Sequence, residues 1–207
     1  MNDNKNQPGT GRKIKRVTVY ASSSNALHSS YYQAAGRLGD VLGQAGLEIV
    51  YGGGGVGLMR AMADAALAAG AHVHGVIPHF LNSVEHGHKT LSRLEVVNDM
   101  RERKHRMLAD SDAVISLPGG SGTFEELLEA LTLKRLGQFL GPIVLVNTNS
   151  YFNRFAELLE NSVRERFMSE SHLAMWTLVD NPEQVLEALQ SAEHWSAEAA
   201  AFASVRS

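Results

Sequence analysis

The sequence predicts an α/β fold: a doubly wound parallel sheet in a three-layer α/β/α arrangement, formed by a single domain. Short apolar segments alternate with longer helical segments along most of the chain, which is typical of a parallel sheet with helices on both faces. The apolar segments are continuous runs, as expected for strands that are buried on both sides. Two glycine clusters follow two of these runs, at the strand ends where such folds bind ligands.

The strands are predicted from short runs of β-branched and other apolar residues, several of which end at proline or glycine. They cover residues 17–21, 47–51, 71–77, 94–97, 113–117, 143–146 and 176–179. Amphipathic or alanine-rich segments between them predict helices over 30–45, 58–69, 100–109, 123–136, 151–166 and 182–190. The segment 80–93 is rich in histidine, serine and glycine and is predicted to be irregular. We expect a flexible N-terminal tail at 1–15, the domain at 16–191 and a C-terminal tail at 192–207.

Composition excludes several classes of protein. With 207 residues, the chain is long enough for one full core. The formal net charge is -3, so the basic excess typical of nucleic-acid binding is missing. No apolar run approaches the ~20 residues of a membrane span, and the polar N terminus lacks the apolar centre of a signal peptide. The sequence contains no cysteine, which rules out disulfides and thiolate metal sites and fits a cytoplasmic location.

The first glycine cluster, Gly52 to Gly57, joins a predicted strand to a predicted helix and matches G-x-G-x-x-G. Its central residues, Gly53 and Gly54, are candidate ligand contacts, because glycine lets the backbone approach a ligand closely. A dinucleotide site needs a carboxylate at the end of the next strand, and that strand ends without one, which argues against NAD or FAD. A tight turn with no ligand remains the alternative.

Ser22, after the first strand, is predicted either to donate to a ligand or to cap the next helix.

The second glycine cluster is the most informative segment. It comprises Leu117 to Glu126 and again connects a strand to a helix. Its glycines and hydroxyl groups at the start of a helix suit a phosphate, and the lack of a Gly-Lys-Ser/Thr ending excludes a Walker-type NTPase loop. Glu125 and Glu126 have two interpretations. Thr123 and Glu126 form a capping box, or a carboxylate beside the phosphate stabilises a positively charged sugar and orients a water molecule.

A basic helix is predicted directly after the fourth strand, and it contains Arg103 and Lys104. It is either a solvated charged face, the usual explanation of a charge run, or a source of cations for a phosphate or base. The nine histidines show no metal-ligand spacing. His72 and His74 share one strand face, where a structural role is favoured over metal binding, and we expect no metal.

Three motifs together resemble the LOG family of cytokinin riboside 5′-monophosphate phosphoribohydrolases, proteins often mislabelled lysine decarboxylases. Pro118 to Glu126 resembles the PGGxGTxxE signature of that family, Met100 to Lys104 its M-x-x-R-K element, and Tyr51 to Met59 its YGGGxxGLM loop. The match extends from about Val17 to Glu187. The resemblance implies a Rossmann-like fold, usually a homodimer, and hydrolysis of an adenine-type nucleotide to the free base and ribose 5-phosphate.

The resemblance also implies which residues form the site. Arg103 and Glu126 fall on the catalytic arginine and glutamate of the family. The residues expected to bind substrate are Ser22, Gly53, Gly54, Glu85, Lys104, Gly119, Gly120, Ser121, Gly122, Thr123, Phe124, Glu125 and Thr132. Three departures affect the expected base preference: Ser121 stands where an aromatic residue is common, Arg60 where a small residue is common, and Arg101 where histidine is usual.

The resemblance implies chemistry that requires no cofactor. The decarboxylase label would require pyridoxal phosphate on a lysine, and no lysine has a sequence context that argues for it. Two other functions remain open at this stage. One is a general purine nucleotide nucleosidase that acts on AMP or GMP in salvage. The other is a non-catalytic protein that binds a nucleotide or a phosphorylated cofactor, which the joint presence of Arg103 and Glu126 argues against.

Overall fold

The structure is a computed structural model that describes residues 13–84, 86–193 and 195–196. Most of the two predicted tails, 1–15 and 192–207, lies outside these residues, so the domain limits at 16 and 191 stay predictions. Glu85, one of the predicted substrate-binding residues, also lies outside the described residues.

The described residues form a seven-stranded sheet in which every paired neighbour is parallel. The strands are β1 (Arg16–Tyr20), β2 (Glu48–Tyr51), β3 (Val73–Pro78), β4 (Arg93–Val97), β5 (Ala113–Ser116), β6 (Ile143–Val146) and β7 (Thr177–Val179). Their order across the sheet is β4-β3-β2-β1-β5-β6-β7. The chain therefore proceeds outwards from β1 to one edge, returns to the centre and proceeds outwards again from β5. This topology confirms the predicted doubly wound sheet and places its switch point between β1 and β5.

Helices cover both faces of the sheet. They are α1 (Ser29–Gln44), α2 (Gly57–Ala68), α3 (His79–Asn82), α4 (Met100–Leu108), α5 (Ser121–Arg135), α6 (Asn153–Arg164) and α7 (Val185–Ser191). One apolar core lies between the sheet and helices α1, α2 and α7. A second core lies between the opposite face of the sheet and helices α4, α5 and α6. Successive strand residues enter different cores, as Ile49 and Val50 of β2 do, because strand side chains alternate between faces.

The structure differs from the predicted elements at two places that matter for the site. The segment 80–93 was predicted to be irregular, but the one-turn helix α3 covers its beginning. Helix α5 begins at Ser121, with Gly120 as its N-cap, two residues before the predicted start. Thr123, which the capping-box interpretation takes as the N-cap, instead lies in the first turn.

Helices α1 and α2 pack closely because small residues line their contact. A Cβ atom at Gly39 of α1 would overlap the backbone carbonyl of Met62 in α2, and one at Gly43 would lie 2.6 Å from the Cβ atom of Ala69. Glycine at these positions lets the backbones approach to a distance that larger side chains would prevent. This contact fixes α2, and with it the loop that leads from β2 into α2.

His72 and His74 lie near the amino end of β3, away from the glycine loops, and His72 precedes the strand, contrary to the prediction that both belong to it. His74 is buried, with Nδ1 3.3 Å from Nη2 of Arg16 and Nε2 3.3 Å from Oε2 of Glu95. His72 instead lies 3.6 Å from a carboxylate oxygen of Glu48. Within the described part of the chain, no group of three or more histidine, aspartate or glutamate residues is arranged to hold a metal ion. The partners of His74 therefore indicate a structural role.

Candidate active site

A cavity of about 350 Å³ opens at the switch point of the sheet. The loop that follows β1 forms one side and the loop that follows β5 forms the other, as expected for a ligand site in a doubly wound fold. Parts of β1, the first glycine cluster and helix α4 complete the wall. The lining residues are Val19, Ala21, Ser22, Ser23, Ser24, Gly52, Met59, Met100, Arg103, Met107, Gly120, Ser121, Gly122, Thr123 and Glu126.

The second glycine loop presents the N terminus of helix α5 to this cavity. The first residues of a helix have N–H groups with no intrahelical acceptor, and their partial positive charge attracts anions. At α5 these residues are Ser121, Gly122 and Thr123, and all three line the cavity. The loop is held from outside by Tyr151, whose hydroxyl group donates a hydrogen bond of 2.5 Å to the carbonyl of Gly119. This end of the cavity is therefore suited to a phosphate group.

Glu126 lies in the second turn of α5, with 8% of its surface exposed, and lines the cavity. Because Gly120 rather than Thr123 is the N-cap, Thr123 and Glu126 do not form a capping box. The structure thus excludes the simpler of the two interpretations of this carboxylate. The Glu126 carboxylate therefore lies in the same cavity as the N terminus of α5.

Glu125 has a different environment, although it is the neighbour of Glu126 in sequence. Its side chain is more than half exposed and lies 2.7 Å from Nζ of Lys104. Lys104 also pairs with Glu129 at 2.7 Å, and hydrogen bonds to these two carboxylates, Glu125 first, raise the lysine pKa. Lys104 therefore points along the flank of α5. The structure places Glu125 and Lys104 together, outside the residues that line the cavity.

Arg103 reaches the cavity from helix α4, which begins after the N-cap Asp99. The side chain is 5% exposed, and its orientation is fixed by backbone carbonyl groups. Nη2 donates to the carbonyl of Gly52 at 2.7 Å, and Nε donates to the carbonyl of Val76 at 3.2 Å. The guanidinium is thus held between the ends of β2 and β3. Arg103, Glu126 and the N terminus of α5 all face the same cavity.

The first glycine loop has a structural role at most of its positions. The N–H groups of Leu58 and Met59 donate to the carbonyl of Ser22, and the N–H of Gly57 donates to Oδ1 of Asn25. The N terminus of α2 is therefore occupied by protein acceptors. Gly53 and Gly54 are buried beneath residues 86–88. Of this loop, Gly52 and Met59 line the cavity.

Two further predicted residues lie at a distance from the cavity. Thr132 is nine residues beyond Thr123 on α5, about 13 Å along the axis, and its hydroxyl group donates to the carbonyl of Leu128 at 2.8 Å. Phe124 is stacked on Tyr151 and Phe155 behind the loop.

Three methionines that line the cavity were not among the predicted site residues, namely Met59, Met100 and Met107. Met59 lies in the YGGGxxGLM-like loop and Met100 in the M-x-x-R-K-like element, so these two motifs are the sequence signal for both methionines.

Tyr20, at the carboxyl end of β1, adds a protonated hydroxyl group near the carboxylates. Burial, followed by the negative charges of Glu126 and Glu129, raises the pKa of Tyr20 well above its usual value. The phenol therefore stays neutral throughout the physiological range. Tyr20 therefore adds no charge to this region. Its charges come from the carboxylates, Arg103 and the partial positive charge of the helix terminus.

Comparison with known proteins supports the assignment of the fold. The molybdenum cofactor binding protein of Rippkaea orientalis has a TM-score of 0.65 and 21% identity, covering 87% of this chain and 98% of that one. The molybdenum cofactor carrier protein of Chlamydomonas reinhardtii has a TM-score of 0.66 and 18% identity, with the same coverage. At identities this low, the similarity shows a shared fold alone.

Sequence relatives are more similar. A probable cytokinin riboside 5′-monophosphate phosphoribohydrolase of Oryza sativa subsp. japonica is 38% identical over 179 residues, 86% of this chain and 72% of that protein. A cytokinin riboside 5′-monophosphate phosphoribohydrolase of Arabidopsis thaliana is 37% identical over 184 residues, 89% of this chain and 85% of that protein. The family model described as possible lysine decarboxylase matches residues 59–189. The chain belongs to this family, which includes the LOG proteins.

Proposed function

We propose that this protein hydrolyses the N-glycosidic bond of adenosine 5′-monophosphates, including N6-substituted ones, and releases the free base and ribose 5-phosphate. The observation that carries the proposal is the composition of the switch-point cavity. It combines an anion-binding helix terminus, a buried arginine and a buried glutamate. The names of the relatives in rice and Arabidopsis support the same reaction.

The phosphate is held by the N–H groups at the start of α5 and by the hydroxyl groups of Ser121 and Thr123. Binding energy at the phosphate, which does not react, positions the ribose against the reactive side chains. Cleavage of the glycosidic bond gives the ribose an oxocarbenium-like positive charge. The carboxylate of Glu126 faces this charge and orients the water molecule that attacks the anomeric carbon.

Arg103 acts at the other side of the reacting bond. Its guanidinium is held by Gly52 and Val76 and lines the cavity, where it faces the departing base or the nucleotide. As the bond breaks, the base accumulates electron density, which a positioned cation stabilises. Ser22 lies across the cavity from α5 and contributes a further hydroxyl group.

The test compares two neighbouring carboxylates with different environments. Glu126→Gln removes the charge inside the cavity, and we expect kcat for AMP to fall by at least about 100-fold, the usual scale for such groups. Glu125→Gln removes a carboxylate that pairs with Lys104, and we expect kcat within about tenfold of wild type, since surface ion pairs contribute little. Release of adenine is measured by chromatography. A Glu126→Gln protein with the wild-type rate contradicts the proposal.

The remaining predicted roles belong to the same proposal. The other predicted residues are proposed to support substrate binding, directly or through the loops and helices that contain them: Gly53, Gly54, Glu85, Lys104, Gly119, Phe124, Glu125 and Thr132. A homodimer is proposed from the family resemblance, and two exposed leucines, Leu128 on α5 and Leu136 at its C-cap, are available for such a contact. Light scattering of the purified protein tests it.

A cytoplasmic location is proposed because the cysteine-free sequence suits a reducing compartment. Among the described residues, no helix has both the length and the apolar character needed to cross a membrane.

A further inference from the structure

Residues 86–88 form a clamp over the first glycine loop. The N–H of Gly55 donates to the carbonyl of His86 at 3.0 Å, and the N–H of His88 donates to the carbonyl of Gly53 at 3.0 Å. Between these bonds, Gly54 and Gly87 form an isolated antiparallel bridge. A Cβ atom at Gly55 would overlap the carbonyl of His86, so the close approach requires glycine. The clamp therefore fixes the backbone that follows Gly52.

The clamp is fastened to helix α2 by one side-chain pair. Nε2 of His88 lies 2.9 Å from Oδ1 of Asp64, and the histidine side chain is 6% exposed. The other ring nitrogen, Nδ1, lies 3.4 Å from both the N–H and the hydroxyl of Thr90. Because the backbone N–H of Thr90 donates to Nδ1 of His88, Nδ1 is the acceptor of the ring. Nε2 is then the ring nitrogen that donates to the carboxylate of Asp64. Asp64 is half exposed, and its second oxygen accepts from Arg60.

The clamp leads to the reactive arginine through a short series of contacts. His88 fixes the carbonyl of Gly53, and the adjacent peptide carries the carbonyl of Gly52. That carbonyl accepts from Nη2 of Arg103 at 2.7 Å. If residues 52–55 shift, the acceptor that orients the guanidinium shifts with them. The N terminus of α5, where the phosphate is proposed to bind, is on a different loop and is not part of this series.

We propose that His88 and Asp64 are positioning residues for the glycosidic cleavage: they hold the first glycine loop so that the Gly52 carbonyl orients Arg103. This inference rests on the proposed function. It predicts an effect on turnover rather than on substrate affinity, because the clamp acts on the arginine and the phosphate is anchored elsewhere.

The experiment is a double-mutant cycle between His88 and Arg103, with kcat and KM for AMP measured by release of adenine. We expect His88→Ala to lower kcat by about 10- to 100-fold, the effect of a misplacement of about 1 Å, with KM within about threefold. His88→Gln, whose side-chain amide places a donor near the position of Nε2, restores most of the loss. In an Arg103→Ala background, His88→Ala lowers kcat by less than about twofold, because two residues that act as a unit give non-additive effects.

Two further variants separate positioning from general stability. Asp64→Ala removes the acceptor from a half-exposed position and is expected to reproduce the fall in kcat with little change in Tm. Arg154→Ala, the matched control, removes an exposed ion pair with Glu157 on α6 and leaves kcat unchanged. Arg103→Lys replaces Arg103→Ala as the background if the latter has no measurable turnover.

The inference would be overturned if the losses in kcat from His88→Ala and from the Arg103 variant multiply in the double mutant. It would also be overturned if His88→Ala raised KM and left kcat unchanged. These outcomes leave the proposed function intact. If Arg103→Ala hydrolyses AMP at the wild-type rate, the role of Arg103 in the proposed function fails, and the positioning role of His88 fails with it.

Discussion

Glu125 and Glu126 show how much the surroundings of a residue determine its chemistry. The sequence pattern suited both a capping box and a reactive carboxylate, and it could not decide between them. The decision depends on where α5 begins: Gly120 is the N-cap, which turns Glu126 into the cavity and Glu125 towards Lys104. Arg103 and Glu126, to which the family resemblance assigns catalytic roles, line one cavity, and those roles stay predictions. Lys104, which belongs to the same motif as Arg103, faces α5 instead.

At Gly52, the lack of a side chain makes room for the guanidinium of Arg103. A Cβ atom there would overlap Nη2 of Arg103 and would lie 3.2 Å from Sδ of Met59. Both are ends of flexible side chains, so Gly52→Ala is expected to displace the guanidinium while the fold is retained. We predict a fall in kcat of about 100-fold with Tm nearly unchanged, measured by adenine release and thermal unfolding. Wild-type turnover would show that the position of Arg103 does not limit the reaction.

Helices and strands were predicted well where their segments are long and apolar, since burial determines their pattern. The role of the first glycine loop was harder to predict. Its G-x-G-x-x-G pattern suggested a second ligand contact, but Ser22 and Asn25 occupy the N terminus of α2. These acceptors come from a loop more than 30 residues away along the chain, so no local pattern reveals them.

The packing of α1 on α2 gives a stability prediction with an internal control. Gly39→Ala places a methyl group against the backbone of α2, with the N atom of Ala66 at 2.8 Å. We expect the free energy of unfolding to fall by about 1–3 kcal/mol, as for other overpacked contacts. Gly36→Ala, on the same helix, has its nearest atom at 4.0 Å and is expected to stabilise by about 0.4–1 kcal/mol. Urea denaturation measures both, and equal effects would contradict the packing argument.

The buried His74 in β3 predicts a dependence of stability on pH. Burial, followed by the charge of Arg93, lowers the pKa of His74. Below the ordinary histidine pKa of about 6.5, the unfolded chain therefore binds a proton that the folded chain does not, and the free energy of unfolding falls as pH falls. The neutral side chain contributes stability above that pH.

His74→Gln should remove this contribution to the pH dependence, which amounts to at most about 1.4 kcal/mol per pH unit. Urea denaturation at pH 7.5, 6 and 5 is expected to give a smaller loss of stability towards acid for the variant than for wild type. Parallel curves for the two proteins would show that His74 does not titrate differently in the folded and unfolded states.

At the scale of the whole molecule, the topology brings the distant motifs together. The two sides of the cavity come from β1 and β5, which are far apart in sequence and adjacent in the sheet. Strand order follows from the doubly wound pattern, so the sequence could predict which edge of the sheet holds the site. It could not predict the clamp of residues 86–88, because its contacts join backbone atoms and a single histidine–aspartate pair without a recognisable spacing.

The most direct measurement compares base release from AMP and N6-isopentenyl-AMP with release from the matching unphosphorylated ribosides. We expect free base and ribose 5-phosphate from the monophosphates and at least about 100-fold lower kcat/KM for the ribosides, because the phosphate supplies the binding energy that positions the ribose. A faster reaction with the N6-substituted nucleotide favours cytokinin release, and equal rates with AMP and GMP favour general salvage. Nucleotide binding without any release of base would contradict the account.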